Sequence, residues 1–154
     1  RAVELVHLAG SVRVEVARLV AMAGFDEEII AAAYLHDVVE DCGMAGAAID
    51  KWFGKRVADL VWEVTDVSIP TDGNRAARRA KDRAKLALAS HEGQSIKLAD
   101  LTDNTRSIAA NDKSFARVYL PEKRELLLVL TKGHNGLRNL ATRTLLAAEA
   151  ELND

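Results

Sequence analysis

The sequence predicts an all-α fold, and three observations carry that prediction. Only two of the 154 residues are proline, Pro70 and Pro121. Few runs of β-branched or aromatic residues alternate with a period of two, as they would along half-buried strands. The nine glycines fall mostly where helices would end. We therefore expect a single domain over residues 1–154, built from eight or nine helices.

The glycine positions divide the chain into nine predicted helices. These are expected at about residues 2–9, 12–23, 26–39, 45–53, 55–65, 73–90, 95–110, 115–131 and 135–151. Asp26 is suited to cap the third helix, because an aspartate side chain can accept a hydrogen bond from a backbone amide of the first turn. Glu27 and Glu28 follow it, at the helix end where negative charge is favourable.

The composition narrows the classes of function. Hydrophobic residues make up 49% of the chain, enough for a core that we expect Trp52, Phe53 and Trp62 to anchor. The formal net charge of -2 disfavours nucleic-acid binding, which needs a basic surface. The single cysteine, Cys42, fits a reducing compartment, most simply the cytoplasm. The longest strongly apolar stretch, around 29–35, is far shorter than the ~20 residues of a membrane span.

The first segment that suggests chemistry is LHDVVED, residues 35–41. His36 and Glu40 are four positions apart, as are Asp37 and Asp41, so each pair would lie one turn apart on a helix. The residues before the segment are almost all apolar, which predicts that this helix enters the core. Because buried carboxylates cost free energy unless a cation compensates them, the segment predicts a divalent metal ion.

The second segment is IKLADLTDNTRSI, residues 96–108. Its polar residues step by three, four and three, which predicts one stripe along a helix: Lys97, Asp100, Asn104 and Ser107. Together the two segments offer an imidazole and several carboxylates without a thiolate, a set that favours octahedral Mn²⁺, Fe²⁺ or Mg²⁺ over structural zinc. Taken alone, each segment also has a simpler interpretation: the first as a surface helix end, and the second as a solvated helix face with an intrahelical ion pair.

LHDVVED and KLADLTDN resemble two signature motifs of the HD superfamily, in the branch that hydrolyses guanosine tetra- and pentaphosphate alarmones. That branch comprises the hydrolase domains of RelA/SpoT-type enzymes and their small stand-alone relatives. The similarity covers roughly residues 12–130 and includes FGK at 53–55, EVTD at 63–66, NRAARR at 74–79 and FARVYL at 115–120. The resemblance implies an HD-domain helical bundle and a cytoplasmic, Mn²⁺-dependent guanosine 3′,5′-bis(diphosphate) 3′-pyrophosphohydrolase.

The resemblance also implies roles for individual residues. Three match metal ligands of the family: His36, Asp37 and Asp100. Two match the acidic pair that orients or deprotonates the attacking water: Glu40 and Asp41. Three match positions that line the nucleotide site: Lys97, Asn104 and Ser107.

The sequence departs from the family in one place. The family usually has a further metal-binding histidine well before the His-Asp pair, preceded by a basic, glycine-containing loop; here that register falls on Val12-Arg13. Three explanations remain open: the loop belongs between Gly10 and Ser11 but is missing from this sequence, His7 replaces the histidine, or the domain is non-catalytic. We expect either a chain break between Gly10 and Ser11 or a metal site that is open on that side.

A basic run precedes the second motif. Its members are Arg75, Arg78, Arg79, Lys81, Arg83 and Lys85. Arginines could bring charge to a polyphosphate substrate, although a solvated helix face is an equally good interpretation for most of the run. Arg75 and the Arg78/Arg79 pair are the better candidates for substrate binding, because they belong to the NRAARR segment that resembles the family.

Two alternatives to alarmone hydrolysis stay open. One is an HD phosphohydrolase for another nucleotide or phosphate ester. The other is a degenerate, non-catalytic HD domain that only binds a nucleotide. In each case the expected partner is a small nucleotide, not nucleic acid or a membrane, and a homo-oligomer is allowed.

Overall fold

The structure is a computed structural model that describes residues 14–37 and 46–154. In this part of the chain it has eight α-helices, one 3₁₀ helix (Pro70–Asp72) and no strand, which confirms the all-α prediction. The helices are α1 (Val14–Met22), α2 (Glu27–Leu35), α3 (Gly46–Phe53), α4 (Lys55–Val64), α5 (Arg75–Ala87), α6 (His91–Asn111), α7 (Lys113–Val129) and α8 (Asn135–Asn153). The helix predicted at 2–9 and the junction between Gly10 and Ser11 lie outside the described residues.

Side-chain oxygen atoms cap the amino ends of four of the described helices. Asp26 accepts a hydrogen bond from the amide of Ile29 at 3.2 Å, as the sequence predicts. The caps of α5, α6 and α7 work in the same way: Asn74, Ser90 and Asp112. Each cap satisfies a backbone amide that has no partner within its own helix.

The long helix α6 lies at the centre of the fold, packed against α1, α2, α4, α5, α7 and α8. Its apolar residues Ile96, Leu98 and Leu101 are at most 1% exposed. Gln94 is fully buried and ties α6 to its surroundings, accepting from the amide of Lys132 at 2.8 Å and donating to a carbonyl of α5. Because α6 is central, its polar stripe is carried into the interior of the protein.

Two predictions about the core are wrong. Trp52 and Trp62 are 59% and 61% exposed and do not anchor it, whereas Phe53 does pack against it. The ammonium of Lys85 lies 3.8 Å above the ring of Trp62 and shields part of that surface. Gly93, which like most of the glycines is expected at a helix end, lies inside the first turn of α6, where an added Cβ would overlap the carboxylate of Glu63.

Among residues 14–37 and 46–154, no helix combines the length and the apolar character needed to cross a bilayer.

Candidate metal centre

His36 lies at the carboxyl end of α2, against the core. The helix ends at Leu35, with His36 as its cap residue, so the prediction of a helix over 26–39 is too long. Leu35 is fully buried and His36 is 3% exposed. The apolar face of α2 therefore delivers the imidazole to the interior, with Asp37 directly after it.

The hydrogen bonds of His36 define which ring nitrogen is available. Nδ1 lies 2.6 Å from the carbonyl oxygen of Ala33. Because a carbonyl only accepts, Nδ1 must carry a proton and donate it. The other nitrogen, Nε2, faces Oδ1 of Asp37 at 3.2 Å and Oδ1 of Asp100 at 3.1 Å. A bare lone pair facing two carboxylates would be repelled, so this arrangement requires a proton or a metal cation between them.

Helix α6 supplies Asp100 and its partners from the opposite side. Asp100 is 3% exposed. The ammonium of Lys97 lies 3.0 Å from Oδ2, and the Asn104 side-chain amide donates to Oδ1 at 3.1 Å. These two residues stand about one helical turn before and after Asp100, so the predicted stripe holds the carboxylate in place from both directions.

Charges in this cluster shift the pKa of both central groups. Burial alone lowers the pKa of His36, but the hydrogen bond and charge of Asp100 and the charge of Asp37 outweigh it, so the net pKa is raised. Burial alone raises the pKa of Asp100, but the charge of Lys97 and the hydrogen bond from His36 bring it well below its usual range. The centre is therefore a compact set of ionised carboxylates that needs cationic partners.

The structure brings five of the eight sequence-predicted site residues together. They are His36, Asp37, Lys97, Asp100 and Asn104. Ser107 follows on α6 and is exposed. The predicted acidic pair, Glu40 and Asp41, lies outside the described residues.

The residues of this centre fit a divalent metal ion. One ligand atom from each of His36, Asp37 and Asp100 can be chosen so that all three lie within 4.8 Å of one another. Adjacent ligand atoms on an octahedral ion with bonds of about 2.1 Å are about 3 Å apart, and the imidazole nitrogen is 3.1 and 3.2 Å from the two carboxylate oxygens. One nitrogen with two oxygens is also a donor set that octahedral divalent ions accept.

The basic run of the sequence has divided roles on α5. Arg75 pairs with Glu122 of α7 through two hydrogen bonds of 2.7 and 2.9 Å, which joins the two helices. Asp82, the acidic residue within the run, is 4% exposed and accepts from the amides of Val67 and Ser68. This contact fixes the segment after α4 against α5, so that Asp66 lies 3.6 Å from Arg79.

Sequence reasoning missed one cation beside the centre, Lys123 of α7. Burial, with the nearby charges of Lys97 and Arg79, lowers its pKa to about 8. Lys123 comes three positions after FARVYL, and the similarity to the family assigns it no role. Its proximity to Lys97 depends on how α6 and α7 pack, which helical periodicity does not give.

Two solved structures share this fold. The structure of a metazoan ortholog of SpoT that hydrolyses ppGpp matches with a TM-score of 0.76 at 26% identity, covering 86% of this chain and 77% of that one. A protein of Listeria monocytogenes EGD-e matches with a TM-score of 0.73 at 24% identity, covering 88% of this chain and 93% of that one. The second likeness concerns the fold alone.

Sequence comparison gives relatives with named activities. A guanosine-3′,5′-bis(diphosphate) 3′-pyrophosphohydrolase of Vibrio cholerae is 38% identical over 100 residues, which are 63% of this chain and 14% of the relative. The Drosophila melanogaster protein of the same name, MESH1, is 40% identical over 86 residues, 56% of this chain and 46% of the relative. The matches thus span less than half of either relative. The HD domain family matches residues 9–125, well over half of the sequence, and the chain belongs to that family.

Proposed function

We propose that the protein is a divalent-metal-dependent hydrolase that removes the 3′-pyrophosphate of guanosine 3′,5′-bis(diphosphate), with Mn²⁺ as its metal. The observation that carries this proposal is the buried convergence of His36, Asp37 and Asp100. The named activities of the Vibrio and Drosophila relatives support the substrate. The proposed place of action is the cytoplasm, as the lone cysteine suggests.

His36, Asp37 and Asp100 are the proposed metal ligands. The hydrogen bond from Nδ1 of His36 to Ala33 fixes the ring and leaves Nε2 as the donor atom, an arrangement that strengthens a histidine ligand. When bound, a divalent ion supplies Lewis-acid chemistry: it acidifies water and withdraws charge from a phosphoryl oxygen.

Glu40 and Asp41 are the proposed proton acceptors for the attacking water. They follow the His-Asp pair by only a few positions, which keeps them close to the centre in the chain. A carboxylate that takes the proton of water in the transition state accelerates hydrolysis by about 10²–10⁴-fold. Water would add across the bond between the ribose 3′-oxygen and phosphorus, which gives guanosine 5′-diphosphate and pyrophosphate.

The polar stripe of α6 is proposed to orient the substrate. Lys97 and Asn104 both contact Asp100. Each side chain has further hydrogen-bonding capacity, with which it is proposed to bind the nucleotide beside the metal site. Ser107 is exposed further along α6 and is proposed to contact the part of the nucleotide that lies away from the metal. A fixed cation near a developing phosphoryl charge stabilises the transition state.

The test is a release assay for pyrophosphate and phosphate over a panel of nucleotides with added Mn²⁺. We expect pyrophosphate from guanosine 3′,5′-bis(diphosphate) with the wild type and none above background with Asp37→Asn. Asp59→Asn, which alters an exposed ion pair with Lys55 on α4, is the matched control and should retain full activity. Preferred turnover of another nucleotide or phosphate ester would replace the substrate, and nucleotide binding without turnover would identify a non-catalytic domain.

A further inference from the structure

We propose that a cationic pocket beside the metal centre binds the outer phosphate of a diphosphate group, so that the protein selects diphosphate esters over monophosphate esters. Three side chains from three helices form this phosphate pocket: Arg79, Lys97 and Lys123. The inference rests on the proposed hydrolysis of a nucleotide 3′-diphosphate. It adds the place at which the outer phosphate of that diphosphate binds.

The phosphate pocket begins one side chain away from the candidate metal ligands. Lys97 touches Asp100 at 3.0 Å and also lines a small inner cavity of about 30 Å³ with Arg79 and Lys123. An outer groove of about 410 Å³ shares Arg79, Arg83 and Glu122 with that cavity. A group held at the metal ligands could therefore extend past Lys97 to the place where the inner cavity meets the groove.

Most carboxylates around the phosphate pocket are already committed to other partners. Asp82 accepts from two backbone amides and from the hydroxyl of Ser68. Glu122 accepts two hydrogen bonds from Arg75. Asp66 remains as the acidic neighbour, at 3.6 Å from the guanidinium of Arg79. Asp82 keeps its charge, but the lining still has four cationic side chains, the three of the pocket and Arg83, against three carboxylates.

Arg79 and Lys123 have unused capacity to bind an anion. Within residues 14–37 and 46–154, the buried Nε of Arg79 has no hydrogen-bond acceptor. The ammonium of Lys123 lies 4.7 Å above the ring of Tyr119 and forms no ion pair with a carboxylate of those residues. A buried donor without an acceptor is costly, and a phosphate oxygen would satisfy Nε of Arg79 and pair with the ammonium of Lys123.

The charges of the phosphate pocket repel one another. The charges of Lys97 and Arg79 add to burial in lowering the pKa of Lys123 to about 8. A multiply charged phosphate placed among the three cations would turn this repulsion into attraction, since hydrogen bonds between charged groups are the strong ones. A monophosphate ester bound at the metal ligands has no second phosphate to reach the pocket, which is the basis of the expected selectivity.

The test is calorimetric titration of inorganic pyrophosphate and of orthophosphate into metal-free protein, which separates the phosphate pocket from catalysis. We expect the wild type to bind pyrophosphate more tightly than orthophosphate. Arg79→Ala and Lys123→Met should each weaken pyrophosphate binding by about 10–100-fold, the worth of one charged hydrogen bond. Arg124→Gln, which removes a neighbouring cation paired with Glu149 on α8, should bind like the wild type.

The outcomes for the phosphate pocket and for the proposed function are distinguishable. Pyrophosphate binding that is absent in the folded wild type, or equal in all four proteins, overturns the pocket even if the alarmone is hydrolysed. Binding that depends on Arg79 and Lys123 supports the pocket even if no nucleotide is turned over, and then only the proposed activity fails. Circular dichroism on each variant shows that a loss of binding is not a loss of fold.

Discussion

Replacing Asp100 with asparagine tests how the buried cluster is held together. In metal-free protein this carboxylate accepts from His36 at 3.1 Å, from Lys97 at 3.0 Å and from Asn104 at 3.1 Å. Removing one partner of a buried ion pair costs about 3–5 kcal/mol. An asparagine oxygen can still accept one of these bonds, and the side chain of Lys97 is 13% exposed, so we expect the low end, about 3 kcal/mol.

The assay is urea unfolding in EDTA, followed by circular dichroism. With a slope of about 2 kcal/mol per molar urea, the midpoint of Asp100→Asn should fall by about 1.5 M. Asp59→Asn, on the exposed face of α4, should leave the midpoint nearly unchanged. A midpoint for Asp100→Asn within about 0.25 M of the wild type would refute the conclusion that Asp100 neutralises buried cations.

Four further predictions concern titration and catalysis. Mn²⁺ affinity should rise as the pH rises through the raised pKa of His36, because the ion and the Nε2 proton compete; calorimetry that finds no pH dependence would contradict this. Correspondingly, the stability that the His36 imidazolium contributes to metal-free protein should be fully present below the unfolded-state pKa of about 6.5 and be lost as the pH rises through the folded-state pKa. Glu40→Gln or Asp41→Asn should lower kcat by about 10²–10⁴ while Mn²⁺ still binds, whereas an equal loss of Mn²⁺ affinity would make them ligands. The pKa of Lys123 is lowered from 10.5 to about 8, so its charge destabilises the folded state fully below pH 8 and progressively less toward pH 10.5. Lys123→Met should therefore raise the free energy of unfolding at pH 7 by up to about 3 kcal/mol. Urea unfolding that shows no gain in stability would exclude a destabilising charge at Lys123.

The sequence predicted the parts of the site that lie along single helices. Lys97, Asp100 and Asn104 share one stripe because helical periodicity fixes which residues lie on one face, and the structure keeps them together. The meeting of His36 with Asp100 could be predicted as well, although they are far apart in sequence, because both follow apolar segments that must enter the core. Their chemistry then requires a shared cation.

Features that depend on packing between helices could not be predicted in the same way. The phosphate pocket needs α5, α6 and α7 to bring Arg79, Lys97 and Lys123 together, and nothing in local periodicity specifies that meeting. Helical spacing alone predicts that Trp52 and Trp62 lie in the core, but spacing does not say which helix face another element covers. Instead both indoles lie on the outside, one of them beneath Lys85.

The proposed metal centre is tested most directly by anomalous diffraction from crystals grown with Mn²⁺. We expect one strong anomalous peak about 2.0–2.3 Å from Nε2 of His36 and from a carboxylate oxygen of each of Asp37 and Asp100. In Asp37→Asn crystals the peak should weaken or vanish. A peak elsewhere in the protein, or none at these three side chains at saturating Mn²⁺, would contradict the central claim that they form a metal centre.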